Sequence, residues 1–402
     1  MYRRAVVVIT ALCAARQARA QEAARPVSLS QAIAAIGAAP QHRVVTAERT
    51  AAELDIAAAG AWPGTSVTVN TSRKTAHLGV VAAVPLPIFG TLGADKDVAR
   101  AEYHVADAQV GSIDLGLRRD VTKAWVELAR TEARAELSEA SAKREEELAT
   151  ITKQREDSGD ASHAEVVQAT AAAKRARAEA NVDRTAIIAA SADLARLLGW
   201  DPDILLHADG GFPPLDDVRG FEELSSARAR HPDARVAAAR TDAEAARVAL
   251  AERERFPKLS LDLEAAFDDP TLPGNDYRLG VNLELPIFGH TSAAIDAANA
   301  RRAAARTELD ATMIELDAQI VAAHKRYQAA REHVRTVEDD VLPAQREAAN
   351  LARAAYREGQ GGLVAVLEAD RALAEIEGEV IDAHAEAAAA RADLEWASGG
   401  AK

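Results

Sequence analysis

The pentapeptide Leu-Pro-Ile-Phe-Gly at residues 86–90 decides the fold, because it occurs again at residues 285–289, 199 positions later. A second marker repeats at nearly the same distance, since Gly159 and Gly359 are each followed ten residues later by an alanine. Self-similarity at one long offset indicates two copies of one structural plan. We therefore predict two structural repeats, residues 21–208 and residues 209–402, each beginning with a helix.

Ahead of each pentapeptide, apolar and polar residues alternate with the two-residue period of a β-strand. In the second repeat Leu261 and Leu263 lie on one face of such a strand, with Asp262 and Glu264 on the other. A turn-rich stretch then leads into a second alternating segment, and the first repeat shows the same pattern less strongly. We predict β-hairpins at about 65–87 and at about 258–286.

After each pentapeptide the apolar residues recur with the period of a helix. Residues 91–157 contain no proline, and as one helix these 67 residues would extend about 100 Å. The matching stretch contains Pro343, which predicts a kink there. A return helix follows each glycine-containing turn, so we predict long antiparallel helical hairpins at about 91–199 and about 291–396. Their apolar seams need other helices to cover them.

The composition favours long bundled helices over a compact domain. Hydrophobic residues make up 48% of the chain but aromatic residues only 4%, and much of the apolar share is alanine. Such small side chains suit closely packed helices. The chain has 62 acidic and 48 basic residues, a net charge of −14, with no Lys/Arg-rich run. This charge balance disfavours a nucleic-acid partner.

The first twenty residues have the features of a secretory signal peptide. Arg3 and Arg4 precede an apolar run, and the sequence Ala-Arg-Ala at 18–20 provides a cleavage site before Gln21. We expect export. Cys13, the one cysteine, lies in this segment after Leu12, where a lipoprotein signal would have a small residue, so we expect no lipid anchor. No stretch of about 18 consecutive apolar residues follows, so we expect no transmembrane helix.

Two explanations of the hairpins remain open. In the first, the strands pack half-buried on the protein's own helices, as in a soluble periplasmic coiled-coil scaffold. In the second, which the residues favour, the strands span a membrane. Their length is that of tilted transmembrane strands, one face is apolar while the other carries charges, and the chain is exported. Four strands cannot close a barrel and open edges are not tolerated in lipid, so this explanation requires an oligomer.

The repeat plan, the sequences Val-Val-Gln-Ala at 166–169 and Val-Leu-Glu-Ala at 366–369, and Ser-Leu-Ser-Gln-Ala at 28–32 resemble the TolC-type outer-membrane efflux proteins. The resemblance covers nearly the whole chain after residue 20. It implies a mainly α fold with one β-hairpin per repeat, assembled as a homotrimer. Three chains with four strands each would form a 12-stranded transmembrane β-barrel among outer-membrane lipids, and their helices an α-barrel extending into the periplasm.

The resemblance also implies a function. Such proteins are exit ducts of tripartite efflux pumps, working with a periplasmic adaptor protein and an inner-membrane transporter. The expected cargo is small solutes, such as heavy-metal ions or drugs, and a duct for type I protein secretion is the alternative within the family. The sequence does not separate these cargoes.

Three sets of candidate site residues follow. The resemblance implies a lumen gate at the positions Glu165, Gln168 and Glu368, where three copies of Glu368 would form a cation-selecting carboxylate ring; otherwise Glu368 is one more solvated acid. It implies adaptor contacts at the helix tips by Gly159, Ser162, His163, Gly359, Gly361, Leu363 and Val364. Aromatic residues beside each hairpin are candidate anchors at the membrane interface, or plugs under the sheet: Trp62, Phe89, Phe256 and Phe288.

Motifs of enzyme chemistry are absent from the sequence. It contains no His-x-x-x-His pair, no Cys-x-x-Cys, no P-loop, and no glycine-rich dinucleotide motif after a strand. The ten histidines are scattered, and Met313 is the one methionine outside the predicted signal peptide. We expect no enzymatic activity, no cofactor and no resident metal site.

Overall fold

The structure, a computed structural model, describes residues 24–71, 76–217, 224, 228–268, 274–285 and 290–400. The expected signal peptide and the interface candidate Phe288 lie outside the described residues.

The chain order of the elements is helix, hairpin, long helical hairpin, given twice. Each half begins with a short strand. In the first half the elements are β1 (Arg25–Ser28), α1 (Leu29–Ala34), α2 (Pro40–Ala59), β2 (Ser66–Asn70), β3 (Leu78–Leu86), α3 (Thr91–Asp157) and α4 (His163–Leu198). In the second they are β4 (Leu206–Asp209), α5 (Pro232–Glu254), β5 (Lys258–Phe267), β6 (Asp276–Glu284), α6 (His290–Arg335), α7 (Leu342–Arg357) and α8 (Leu363–Ala397). The predicted mainly helical fold with a small share of sheet is confirmed.

The two long helical segments differ at Pro343. Helix α3 is continuous over 67 residues. The corresponding segment of the second half contains a π-helical turn, Thr336–Val341, between α6 and α7. Pro343 lies in the first turn of α7. Proline has no N–H, and its ring clashes with the carbonyl four residues earlier, so the hydrogen bonds before it are displaced.

The described residues divide into two compact units, which do not coincide with the two repeats. The sheet unit comprises the described residues of Gln41–Asp114 and Ser225–Ala318. The tip unit comprises the described residues of Met1–Pro40, Leu115–Leu224 and Gln319–Lys402. Each unit therefore contains segments from both halves of the sequence.

The sheet unit contains a four-stranded antiparallel sheet in the order β2-β3-β5-β6. Strands β2 and β6 are its edges. The central pair joins the two repeats, with Leu78 opposite Phe267 and Leu86 opposite Leu259. Each hairpin thus contributes one central strand and one edge strand.

Apolar side chains share one face of this sheet. Leu261 lies opposite Val84 on one neighbouring strand and opposite Val281 on the other. This face is open in the single chain, where Leu279 is 70% exposed and Val67 63% exposed.

The tip unit has its main core where β1 pairs in parallel with β4. Trp125, in the middle of α3, is 1% exposed, and its indole N–H donates a hydrogen bond of 2.7 Å to the carbonyl of Val27. Alanines from α4 and α8 complete this core, which agrees with the close helix packing expected from the composition. Among the described residues, no helix combines the length and the apolar composition that crossing a bilayer needs.

Candidate functional site

The turn from α3 into α4, here called the first tip, is made by Gly159. Its φ of +84° is in the left-handed region that favours glycine. The amide of Gly159 donates to the carbonyl of Glu156 at 2.9 Å, and that of Asp160 donates to the carbonyl of Arg155 at 2.7 Å. These two bonds satisfy carbonyls that the end of α3 would otherwise leave unpaired.

Helix α4 begins with a reciprocal pair of side chain to backbone bonds. The amide of Glu165 donates to the hydroxyl of Ser162 at 3.3 Å, and the amide of Ser162 donates to the carboxylate of Glu165 at 2.7 Å. This is a capping box. The bonds from the amide and hydroxyl of Ser162 lower the pKa of the Glu165 carboxyl, and the charge of Arg155 adds to the effect. The gate candidate Glu165 therefore also caps a helix.

The turn from α7 into α8, here called the second tip, repeats the backbone of the first. Gly359 has a φ of +77°, and the amide of Gln360 donates to the carbonyl of Ala355 at 2.9 Å. The start of the next helix differs, because Gly362 occupies the position of Ser162 and provides no side-chain cap. The two tips therefore share a backbone conformation, but only the first tip has a side-chain cap at the start of the next helix.

Arg155 joins the two tips. Its guanidinium lies 4.5 Å from the centre of the Tyr356 ring, the cation–π arrangement, and it also donates to the carbonyl of Tyr356. A second nitrogen donates to the carbonyl of Asp160 at 3.3 Å. The hydroxyl of Tyr356 is 3.0 Å from that of Thr152, one turn earlier on α3. We call Thr152, Arg155 and Tyr356 the tip clamp.

The predicted adaptor-contact residues differ in exposure. His163 is on the surface, with its Nδ1 2.8 Å from a carboxylate oxygen of Glu156. Val364 is 54% exposed. Leu363 is only 1% exposed and packs in the core under the tips, which includes Tyr356 and Leu148. The side chain of Leu363 therefore supports the second tip from inside.

The remaining gate candidates, Gln168 and Glu368, have exposed side chains. Two residues after Glu368, at Asp370, α8 contributes to a layer of buried charge. Asp370 is 7% exposed and forms an ion pair of 2.6 Å with Arg353 of α7, while Glu145 of α3 is 8% exposed. Burial raises the pKa of the Glu145 carboxyl, and the charge of Asp370 raises it further.

In the sheet unit, two interface candidates are in contact. Phe89 after β3 and Phe256 before β5 stack with ring centres 5.6 Å apart and planes 13° apart. They line a mostly apolar cavity of about 290 Å³ at the end of the sheet, which Asp95, Glu254 and Lys258 also border. Trp62, ahead of edge strand β2, is 58% exposed.

No motif in the sequence predicted the tip clamp. A signal was present, because Tyr356 is a large aromatic residue at the position where the first repeat has the charged Glu156, 200 residues earlier. Within the described ranges, no three His, Cys, Asp or Glu side chains converge as a metal site requires.

Comparison with known proteins gives one consistent result. The outer membrane efflux protein family matches residues 18–200 and 224–400. The cobalt-zinc-cadmium resistance protein CzcC of Cupriavidus metallidurans is 24% identical over 317 residues, covering 77% of this chain and 74% of CzcC.

Solved structures share the fold. The outer membrane protein VceC of Vibrio cholerae superposes with a TM-score of 0.74 at 20% identity, covering 92% of this chain and 96% of VceC. The open state of the MtrE outer membrane channel of Neisseria gonorrhoeae gives 0.73 at 19% identity, covering 92% and 89%. The chain belongs to the outer membrane efflux protein family, and its function is that of an outer-membrane efflux duct.

Proposed function

We propose that three copies of this chain form one duct, with a 12-stranded barrel in the outer membrane and a helical tunnel in the periplasm. The observation that carries the proposal is the four-stranded sheet with two unpaired edges, β2 and β6, and one exposed apolar face. Unpaired edges are not stable in hydrocarbon, whereas a closed barrel has none. Twelve strands from three sheets satisfy this condition.

The two faces of the sheet support the same assignment. Leu261, Val281 and Val84 are neighbours on the apolar face, which would lie against lipid. Asp262 and Glu264 point to the opposite face, which would line the water-filled lumen. This alternation is the pattern of a transmembrane barrel.

The tips are the proposed periplasmic entrance. Glu368 and Gln168, on the exposed surfaces of α8 and α4, would line the narrowest part of the tunnel, with Glu165 at the start of α4. The exposed residues of the two tips, among them His163 and Val364, would receive the periplasmic adaptor, which couples the duct to an inner-membrane transporter.

We propose small solutes as the cargo, metal cations first among them. CzcC is named for resistance to cobalt, zinc and cadmium, and a ring of three Glu368 carboxylates would favour cations. Transport through a duct requires no tight metal site within it.

The first experiment is to fractionate the cell envelope, extract the protein in detergent and determine its mass by light scattering. We expect a particle of three chains in the outer-membrane fraction. A monomer or dimer in the periplasm would contradict the duct and favour the scaffold.

A substitution tests the barrel directly. Leu261→Arg places a charge on the apolar face, at a cost of about 2–4 kcal/mol for each arginine near the bilayer centre, so assembly should fail. Glu264→Arg places the same charge on the opposite face of the same strand and should be tolerated. Normal assembly of Leu261→Arg would show that this face does not meet lipid.

A further inference from the structure

The repeated pentapeptide and the match of Pro63 with Pro257 set how the two hairpins correspond, and the internal registers of the hairpins agree with it. Val67 lies opposite Ala82 in the first hairpin, and Leu261 lies opposite Val281 in the second. Residues of β2 thus match residues of β5 that come 194 positions later, as Pro63 matches Pro257. Residues of β3 match those of β6 199 positions later, which is also the spacing of the two pentapeptides.

One contact between hairpins exists within the chain. Strand β3 of the first hairpin pairs with β5 of the second, with Val84 opposite Leu261 and Ala83 opposite Asp262. In the correspondence between repeats, β6 is the counterpart of β3 and β2 is the counterpart of β5. Strands β6 and β2 are the free edges of the sheet.

From this correspondence we infer that edge strand β6 of one copy pairs antiparallel with edge strand β2 of a second copy, with Leu283 opposite Val67 and Asn282 opposite Thr68. The inference rests on the proposed trimeric duct and adds to it the residues and the register of the joint. Each proposed pair is the counterpart of a pair observed between β3 and β5. The proposed pair of Leu283 with Val67, for example, corresponds to the observed pair of Val84 with Leu261.

The side chains agree with this register across all five residues of β2. Val67 and Val69 would meet Leu283 and Val281, apolar against apolar. Ser66 would meet Glu284 on the opposite, polar face. A shift by one residue would place each apolar side chain opposite a polar one, on the wrong face.

Exposure supports a partner at these edges. Every residue of β2 is exposed, and Val281 and Leu283 of β6 are 66% and 50% exposed. A second copy is required, since two intervening strands place the edges of one flat sheet about 14 Å apart at the usual strand spacing. Four strands are too few to close on themselves.

The main alternatives to this β6–β2 register are registers displaced by four residues. Such a register would arise if β2 matched β5 at an offset two residues shorter and β3 matched β6 at an offset two residues longer. Both changes together would preserve the pairing inside each hairpin and the faces of all strands. Glu284 would then lie opposite Asn70. The pentapeptide and the Pro63/Pro257 match argue against this alternative, and cross-linking can decide it.

The test uses pairs of cysteines in a Cys13→Ser background, which has no other cysteine. A disulfide needs Cβ atoms about 3.5–4.5 Å apart, close to the spacing of directly opposed residues, while diagonal neighbours are about 7–8 Å apart. Thr68→Cys with Asn282→Cys, and Ser66→Cys with Glu284→Cys, should each give a covalent trimer on oxidation that reducing agent separates.

Three controls accompany these pairs. Each single-cysteine variant should remain uncross-linked. Asn70→Cys with Asn282→Cys tests a shift of two residues, and Asn70→Cys with Glu284→Cys a shift of four, and both should give little covalent trimer. Light scattering of the reduced samples establishes that each variant assembles.

The outcomes separate this inference from the duct itself. Efficient cross-linking of the Asn70 and Glu284 pair, with none of the Thr68 and Asn282 pair, would overturn the register while the trimer stands. A trimer by mass that none of the pairs cross-links would overturn it as well. A monomeric wild-type protein would overturn the proposed function and this inference with it.

Discussion

The guanidinium of Arg155 at the end of α3 lies over the ring of Tyr356 at the end of α7, 4.5 Å from its centre, so the two tips of one chain are tied together. The same side chain donates to backbone carbonyls on both tips. Because the bond to the Tyr356 carbonyl is part-buried, it is less screened than a surface ion pair. The tips of one chain should therefore move as one body.

Arg155→Ala should uncouple the two tips of one chain. A cation–π contact and a charge-assisted hydrogen bond together stabilise a contact by about 2 kcal/mol, and losing this raises local opening roughly thirtyfold. Hydrogen exchange over residues 352–362 of the assembled protein would report the change. Lys153→Ala is the matched control, because Lys153 pairs only with Glu156 and Asp157 of its own tip among the described residues. Equal exchange in both variants would show that Arg155 does not couple the tips.

Glu368→Ala tests the gate. If three carboxylates surround the tunnel axis, their removal should raise cation conductance of the purified channel in a planar bilayer and weaken block by multivalent cations. Glu375→Ala, which removes another exposed carboxylate two turns along α8, should leave both properties unchanged. Identical conductance and block in the wild type and Glu368→Ala would remove Glu368 from the gate.

The two possible roles of Glu165 can be separated by chemistry. Ser162→Ala removes the cap and should destabilise the start of α4 by about 1 kcal/mol, seen as roughly fivefold faster exchange there. Glu165→Gln keeps an acceptor for the capping box but removes the charge. It should change conductance only if the charge faces the lumen. Because the folded state lowers the pKa of Glu165, its stabilisation holds above the ordinary value and is lost as pH falls through the lowered pKa.

The contribution of Glu145 to the free energy of unfolding should have the opposite pH dependence to that of Glu165. Burial raises its pKa in the folded state, so the ionised carboxylate is destabilising at neutral pH. The penalty disappears as pH falls through the raised pKa. One of its oxygens is buried without a hydrogen-bond partner among the described residues.

Glu145→Gln should therefore raise the free energy of unfolding at neutral pH by on the order of 1 kcal/mol, measured as a higher thermal midpoint. This gain in stability should shrink in acid. Glu147→Gln, an exposed neighbour on α3, is the control and should have no effect at either pH. A gain that stays constant with pH would mean that the charge of Glu145 is not the cause.

The strands and long helices could be predicted because their causes are local. Strict alternation, as at Leu261, Asp262 and Leu263, leaves a strand one way to present an apolar face, and a proline-free run of 67 residues has nothing to interrupt its helix. The pairing of β3 with β5 across nearly 180 residues followed from no local pattern. The trimeric barrel stays a prediction, as do the gate and the adaptor contacts.

Other features depend on long-range contacts that leave little trace in the sequence. Strands β1 and β4 are four residues each, too short to show a period, and they form because Trp125 and the neighbouring core cover them. Leu363 was expected at the surface of the second tip, but its side chain is buried against Tyr356. The position of a residue beside a turn does not reveal which way its side chain faces.

The difference between Ser162 and Gly362 has a consequence for stoichiometry. In the proposed trimer six tips surround the axis, alternately closed by a capping box and by an uncapped glycine, so the rim has three-fold rather than six-fold symmetry. An adaptor hairpin approaching the rim would meet two kinds of cleft in alternation. Adaptors that discriminate between them would bind as three copies, and six would bind only if each copy tolerated both clefts or alternated in its own conformation.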